Sequence, residues 1–142
     1  MAGAADAAST ASLAQSESAL LSAMNSARAA HGLQPLRADG RLERAARGHS
    51  SYMLRTGRFA HGAFASRIRR VGVRTPRIGE NLAWSSGALT AAQAIVSMWL
   101  ASPEHRANLL HPGYRLVGVG ALRGSFDGQS NARMVTTDFA GR

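Results

Sequence analysis

The stretch from Trp99 to Leu110, Trp-Leu-Ala-Ser-Pro-Glu-His-Arg-Ala-Asn-Leu-Leu, constrains the fold most, because one helix must stop inside it and another must start. Proline is excluded from a helix interior but fits the first helical position, where its missing N–H is unpaired in any case. Ser102, immediately before Pro103, has the side chain of an N-cap, and its oxygen is expected to accept from backbone N–H groups of the first turn. Glu104 and His105 then fall in that turn. The positive end of the helix dipole disfavours an imidazolium, so His105 is expected to stay neutral. A neutral histidine suits a ligand, and it equally suits a buried residue held by a hydrogen bond.

The rest of the chain supplies more helices and then strands. Leu13, Leu20, Leu21, Met24 and Ala27 recur near helical spacing before Gly32, which predicts a long helix from about Leu13 to Ala30. Asp39 is placed to cap a second helix carrying Leu42, Ala45, Ala46, His49, Met53 and Leu54 on one face and closing at Gly57. Thr90-Ala91-Ala92-Gln93 reads as a capping box that opens a helix with Ile95, Met98 and Trp99 turned inward. Phe59-Ala60-His61-Gly62 and Gly79-Glu80-Asn81 read as loops or helix ends. Arg115 to Leu122 and Ala132 to Phe139 alternate around a loop containing Gly and Asp, which predicts an antiparallel pair. This order implies an α+β domain with helices packed on an antiparallel sheet.

Length and composition bound the function. A chain of 142 residues buries roughly 70% of its unfolded surface, enough for one full core and not for two. One domain over residues 13–142 is expected, after a flexible segment 1–12. The first ten residues are rich in Ala and Ser without an apolar run, so they are neither a membrane span nor an intact secretion signal. A mature protein trimmed of its leader is the expectation. The absence of cysteine rules out a disulfide framework and a thiolate site, and remains compatible with secretion for a core of this size. Seventeen basic residues, all arginine, against eight acidic ones give a net charge of +9. That charge attracts anionic lipid, acidic wall polymers and nucleic acid by a salt-sensitive, sequence-blind mechanism. The densest run, Arg67, Arg69, Arg70, Arg74 and Arg77, has no interleaved aromatics to stack bases, so it reads as a solvated basic face and not as a specific nucleic-acid reader.

Three side chains stand out chemically. Two imidazoles and a carboxylate, His61, His105 and Glu80, make a candidate site for a divalent metal such as Zn or Cu, with a coordination position open to water. Each also has a structural reading: Glu80 as an acceptor tying its loop to backbone N–H groups, His61 as a loop residue, His105 as above. His49, on an apolar helix face, reads as a core histidine, and its pairing with Met53 has no further support as a haem site. Asn81, Arg106 and Asn108 read as structural hydrogen-bonders. A Ser102-His105-Glu80 nucleophilic set is disfavoured, because an N-cap serine already spends its oxygen on backbone N–H groups. With no G-x-S-x-G, no H-E-x-x-H and no cysteine, enzymatic activity is not implied.

Taken in order, Leu42 to Met53, His61, Gly79-Glu80-Asn81-Leu82-Ala83, Trp99, Ser102 to Leu110, Gly118-Val119-Gly120 and the strand ending in Phe139 resemble the CAP superfamily. These are the cysteine-rich secretory, antigen 5 and pathogenesis-related-1 proteins, here in a short bacterial form without cysteines, over roughly Leu20 to Phe139. The resemblance implies a three-layer α-β-α sandwich with a small antiparallel sheet. It also implies a cleft of two histidines and two acidic residues, three of whose places fall to His61, Glu80 and His105. The fourth, three positions after Trp99, is Ser102, and Glu104 projects about 100° away from His105 on the helix. A triad is therefore expected, with His61, Glu80, His105 and Ser102 lining a ligand site and His61 and His105 as metal ligands. Some members have been proposed as proteases and others bind sterols or other lipids. The resemblance thus implies a secreted or cell-envelope binding module that takes Zn, another divalent metal, a small ligand or lipid, with a basic surface for anionic envelope polymers. The alternative is a metal-assisted hydrolase of peptide or wall material.

Overall fold

A computed structural model of the chain describes residues 3–141, with side chains from 15 to 87 and from 90 to 141. The elements are α1 (Gly3–Ala30), β1 (Arg37–Ala38), α2 (Gly40–Thr56), α3 (Phe64–Arg70), β2 (Ile78–Ser86), a 3-10 turn (Gly87–Thr90), α4 (Ala92–Leu100), α5 (Pro103–Leu109), β3 (Leu116–Phe126) and β4 (Gln129–Ala140). In the sheet the order is β1-β3-β4-β2. The pair β4–β3 is antiparallel, as expected, and β2 adds a second antiparallel neighbour to β4, but β1 runs parallel to β3. The sheet is therefore mixed. Its short parallel edge forms because the approach to α2 is drawn onto β3, with the Arg37 N–H donating to Arg115 O and the Asp39 N–H to Val117 O.

Local chemistry explains most element ends. Asp39 caps α2, its carboxylate accepting from the Arg41 and Leu42 N–H groups, and Gly57 closes the helix at φ 70°. The final strand pair reaches Phe126 and starts again at Gln129, well beyond the expected Leu122 and Ala132. Asp127 and Gly128 both take positive φ, 48° and 77°, so a two-residue turn carries the pairing to the tip of the hairpin. Two expectations for α4 need correction. Its N-cap is Ala91, because the Thr90 hydroxyl donates back to Gly87 O and completes the 3-10 turn. Ile95 and Trp99 are buried, but Met98 is exposed.

Helices α1, α4 and α5 cover one face of the sheet, and α2 and α3 cover the other, which gives three layers. On the first face Val117, Val119, Val135 and Phe139 meet Leu20, Met24, Ile95 and Trp99. Complete burial of a side chain such as Ile95 or Leu20 contributes about 1.5–3 kcal/mol. The Trp99 indole N–H donates to Leu82 O at 3.0 Å, tying α4 to β2. On the opposite face Leu42, Ala45 and Ile68 meet Ala140, and Met53 packs with Met134. Here α2 lies almost on the sheet: a Cβ on Gly118 would overlap the backbone of Leu42 and Glu43, and one on Gly120 the backbone of Ala46 and Arg47. Arg28, wholly buried, fastens the end of α1 by donating to the carbonyls of Gln34, Leu109, His111 and Tyr114.

Candidate functional site

The segment Gly79-Glu80-Asn81 is strand and not loop, a correction with direct consequences for the site. Both polar residues are buried, because neighbours on a strand project to opposite faces and each finds partners on its own side. Asn81 turns toward α5, where its amide donates to His105 O at 2.9 Å. Glu80 turns toward α3. Asn108 of α5 locks this edge strand in place, its amide donating to Glu80 O and Asn81 Oδ1, both at 3.1 Å. The expected structural role of Asn81 and Asn108 is what these bonds perform.

The Glu80 carboxylate is fully enclosed and fully engaged. His61 Nδ1 lies 2.8 Å from Oε1, and Arg67 donates to Oε2 at 2.8 Å and to Oε1 at 3.2 Å. Arg67 also donates to His61 O at 2.7 Å, so one guanidinium fixes both the carboxylate and the loop that presents the histidine. Directly across the sheet, in register with Glu80, stands Asp138 of β4. Its oxygens receive no N–H donor among the described residues, and Arg67 approaches no nearer than 3.5 Å. Burial, then hydrogen bonding to Glu80 and the charge of Glu80, push the Asp138 carboxyl well above its ordinary value. Burial also opposes ionisation of Glu80, but hydrogen bonds with Asp138, Arg67 and His61 outweigh it and bring Glu80 below the usual carboxylate range. Glu80 therefore ionises first and Asp138 holds its proton to higher pH, which leaves one fixed negative charge facing Arg67.

His105 enters from α5 on the other side of the β2 edge. Its Nδ1 is 2.8 Å from Ser102 Oγ. Ser102 occupies the N-cap with no side-chain bond to the helix backbone, contrary to the expectation that its oxygen is engaged there. Histidine three residues on competes successfully for that hydroxyl. Burial, then the proximity of His61, lower the pKa of His105, with Glu104 acting weakly in the opposite sense. His105 is a neutral ring at physiological pH, in agreement with its place in the first turn.

The structure thus joins His61 to Glu80 by direct contact and Ser102 to His105 by direct contact, and His61 is near enough for its charge to lower the pKa of His105. Two members went unanticipated. Arg67 belongs to this site and not to a solvated basic face: its side chain is 18% exposed and lies against Glu80. Asp138 had a signal in the sequence, since an acid in an apolar run, Met134-Val135-Thr136-Thr137-Asp138-Phe139, sits in strand phase where only a paired or protonated carboxyl is tolerated. His49 is the buried core histidine expected, bonded through Nε2 to Ala60 O at 2.7 Å. Arg106 donates to His31 Nε2 at 3.2 Å, away from the site.

The chemistry on offer follows from what each atom already does. A carboxylate can only accept, so His61 Nδ1 carries the hydrogen it gives to Glu80. Glu80, held by Arg67, has no oxygen to give a metal, and among the described residues no three His, Cys, Asp or Glu groups converge to hold one. The donors that fit a divalent ion are the two imidazole rings alone, with Glu80 behind His61 as its orienting acceptor.

The family model described as CAP, cysteine-rich secretory protein family, matches residues 21–139. A Bacillus subtilis strain 168 protein, YkwD, described as uncharacterized, is 33% identical over 101 residues, covering 68% of this chain and 38% of its own. YlbC, an uncharacterized membrane protein of the same bacterium, is 34% identical over 113 residues, covering 76% and 32%. The chain therefore spans about a third of the length of the curated relatives it matches. Among solved structures, an extracellular protein containing a SCP domain from Bacillus anthracis str. Ames superposes with a TM-score of 0.76 at 27% identity, over 90% of this chain and 41% of that one. An outer surface protein of Borrelia burgdorferi shares the fold at TM-score 0.74 and 20% identity, over 90% and 94% of the two chains.

Proposed function

The chain belongs to the CAP family of cysteine-rich secretory proteins, and from that premise we propose that it is a secreted or envelope-facing binding module. Its cleft at the β2 edge takes a divalent cation such as Zn, or a small ligand, between His61 and His105. The observation that carries this reading is the way both rings are held. Each has its Nδ1 engaged, one by a buried carboxylate and one by a serine hydroxyl, so Nε2 is the ring nitrogen that neither partner occupies. A carboxylate behind a ligating histidine fixes its tautomer and raises its basicity. Low pKa at His105 keeps the ring unprotonated, as a ligand must be. A zinc ion bound there supplies a Lewis acid and an open position for water. The Bacillus anthracis neighbour, described as an extracellular protein, supports an extracellular setting.

The bond between Ser102 and His105 favours a second reading, a hydrolase of peptide or wall material assisted by the metal, because a serine free of its capping role and paired to a neutral imidazole is a nucleophile with a base beside it. No carboxylate contacts His105 to complete a triad among the described residues, so the binding module stands first. Calorimetric titration of chelator-treated protein with Zn tests the proposal. Stoichiometric binding, lost in a folded His61→Ala/His105→Ala variant, is the expected result. No heat of binding in the parent would remove the metal from the proposal. Turnover of peptide or wall substrate that is abolished by chelator, His105→Ala and Ser102→Ala would promote the hydrolase reading.

A further inference from the structure

Behind His61, the outward side of α2 and the helix α3 flank an open cavity of about 500 Å³, within the range of small-ligand sites. Arg44, Gly48, Tyr52 and Arg55 fall on that side of α2 at helical spacing, and α3 brings Arg67 and Arg70. No acidic residue lines the cavity. Arg67 is held by Glu80, but Arg44, Arg55 and Arg70 have no hydrogen-bond or ion-pair partner among the described residues. Arg28 is held by carbonyls, Arg41 by Asp39 and Arg47 by Glu17, and other arginines such as Arg69, Arg74 and Arg123 also lack a side-chain partner among the described residues; what sets Arg44, Arg55 and Arg70 apart is that they line one concavity. Three uncompensated guanidinium groups around one concavity repel one another, and an anion placed among them relieves that repulsion.

Gly48 is the second observation. It lies in the middle of α2, where glycine disfavours the helix by roughly 0.5–1 kcal/mol relative to alanine. Packing does not require it, since a Cβ there would meet nothing within 4 Å. What the missing side chain does is keep the floor of the cavity open. Beside it Tyr52 stacks on the buried His49 ring at 6.0 Å and 17°, a flat wall next to the charges.

We infer that this cavity is a binding site for a phosphoryl group, either on a free phosphorylated molecule or on a lipid headgroup. A phosphoryl group presents several oxygens, enough for two or three guanidinium forks at once, where a carboxylate fills one. The site shares only His61 and Arg67 with the histidine cleft, and it stands even if that cleft binds no metal.

The test is an amide-resolved NMR titration with inorganic phosphate, in EDTA and at constant ionic strength, with acetate as the comparison anion. Saturable shifts centred on Gly48 and Gly62, stronger for phosphate than for acetate, are expected. Arg44→Gln/Arg70→Gln weakens phosphate binding about tenfold or more. Gly48→Phe, which fills the floor, does the same and checks the assignment through shape instead of charge. Arg74→Gln/Arg123→Gln removes equal charge outside the cavity and changes binding by less than about threefold. Equal weakening in the two double variants, or shifts that spread over the surface without saturating, overturns the inference. Sedimentation with phosphatidic acid vesicles then identifies the source. Capture that phosphate competes away and Arg44→Gln/Arg70→Gln abolishes assigns a lipid headgroup; phosphate binding without such capture assigns a free phosphorylated ligand.

Discussion

Along its sheet-facing side α2 lies so close to β3 that Gly118 and Gly120 have no room for a methyl group, whereas on its outward side Gly48 faces open space. The same residue type serves opposite ends a few ångströms apart. On the inner side its smallness lets two backbones touch, and the helix position that results sets where Arg67, His49 and His61 stand relative to Glu80. On the outer side its smallness preserves a void. A close contact and a void cannot be told apart from composition, and they respond to substitution with opposite sign.

That contrast can be broken by four measurements. Gly118→Val has the largest expected effect, a loss of about 3 kcal/mol or more in urea unfolding, since the new side chain collides with backbone and not with a movable side chain. A loss below about 1 kcal/mol would mean that α2 can lift from β3 with little penalty. Arg67→Met comes next, at roughly 2–3 kcal/mol, because it strips the cation from a buried carboxylate, discounted for the partial exposure of the guanidinium. An unchanged urea midpoint would show that Glu80 simply takes up a proton in its place. Asp138→Asn is milder and depends on pH. The folded pKa of Asp138 lies above its ordinary 3.8, so its contribution to stability is complete below that value and is lost as pH rises through the folded pKa. Glu80 runs the other way: its contribution is present above its ordinary 4.5 and is lost as pH falls through a lower folded value. Asparagine keeps a donor for Glu80 and cannot ionise, so the variant should gain on the parent steadily as pH is raised. A difference that stays constant with pH would place the Asp138 proton elsewhere. Gly48→Ala is the smallest, a gain of about 0.5–1 kcal/mol or ~2–4 °C in Tm. A fall in Tm would show that the outer side of α2 is as crowded as the inner one.

Much of this architecture was legible where chemistry is local. Asp39 and Gly57 bound α2 by capping rules that act within a turn, and Ser102-Pro103 opens α5 for the same reason. Legibility failed where a partner lies far along the chain. Glu80 was readable as a candidate but not as strand, because what makes a buried Gly-Glu-Asn tolerable is Arg67, Asn108 and His105, none within twelve residues. Ser102 was misread since a capping signature says nothing of a competing partner three residues on. The alternation that hides Asp138 and the arginine run that hides Arg67 each mark one polar residue in the wrong phase for its neighbours, and only the register Glu80↔Asp138 brings them together.

The strand order carries a consequence for how the protein is made. β4 sits between β3 and β2, yet it follows both in the chain. As the polypeptide emerges from the ribosome, β2 has no neighbour to ladder with, and its exposed N–H and C=O groups wait through some forty residues of synthesis for the strand that completes them. Pairing of this kind, late and between distant segments, is slow and leaves a long interval in which the chain is extended.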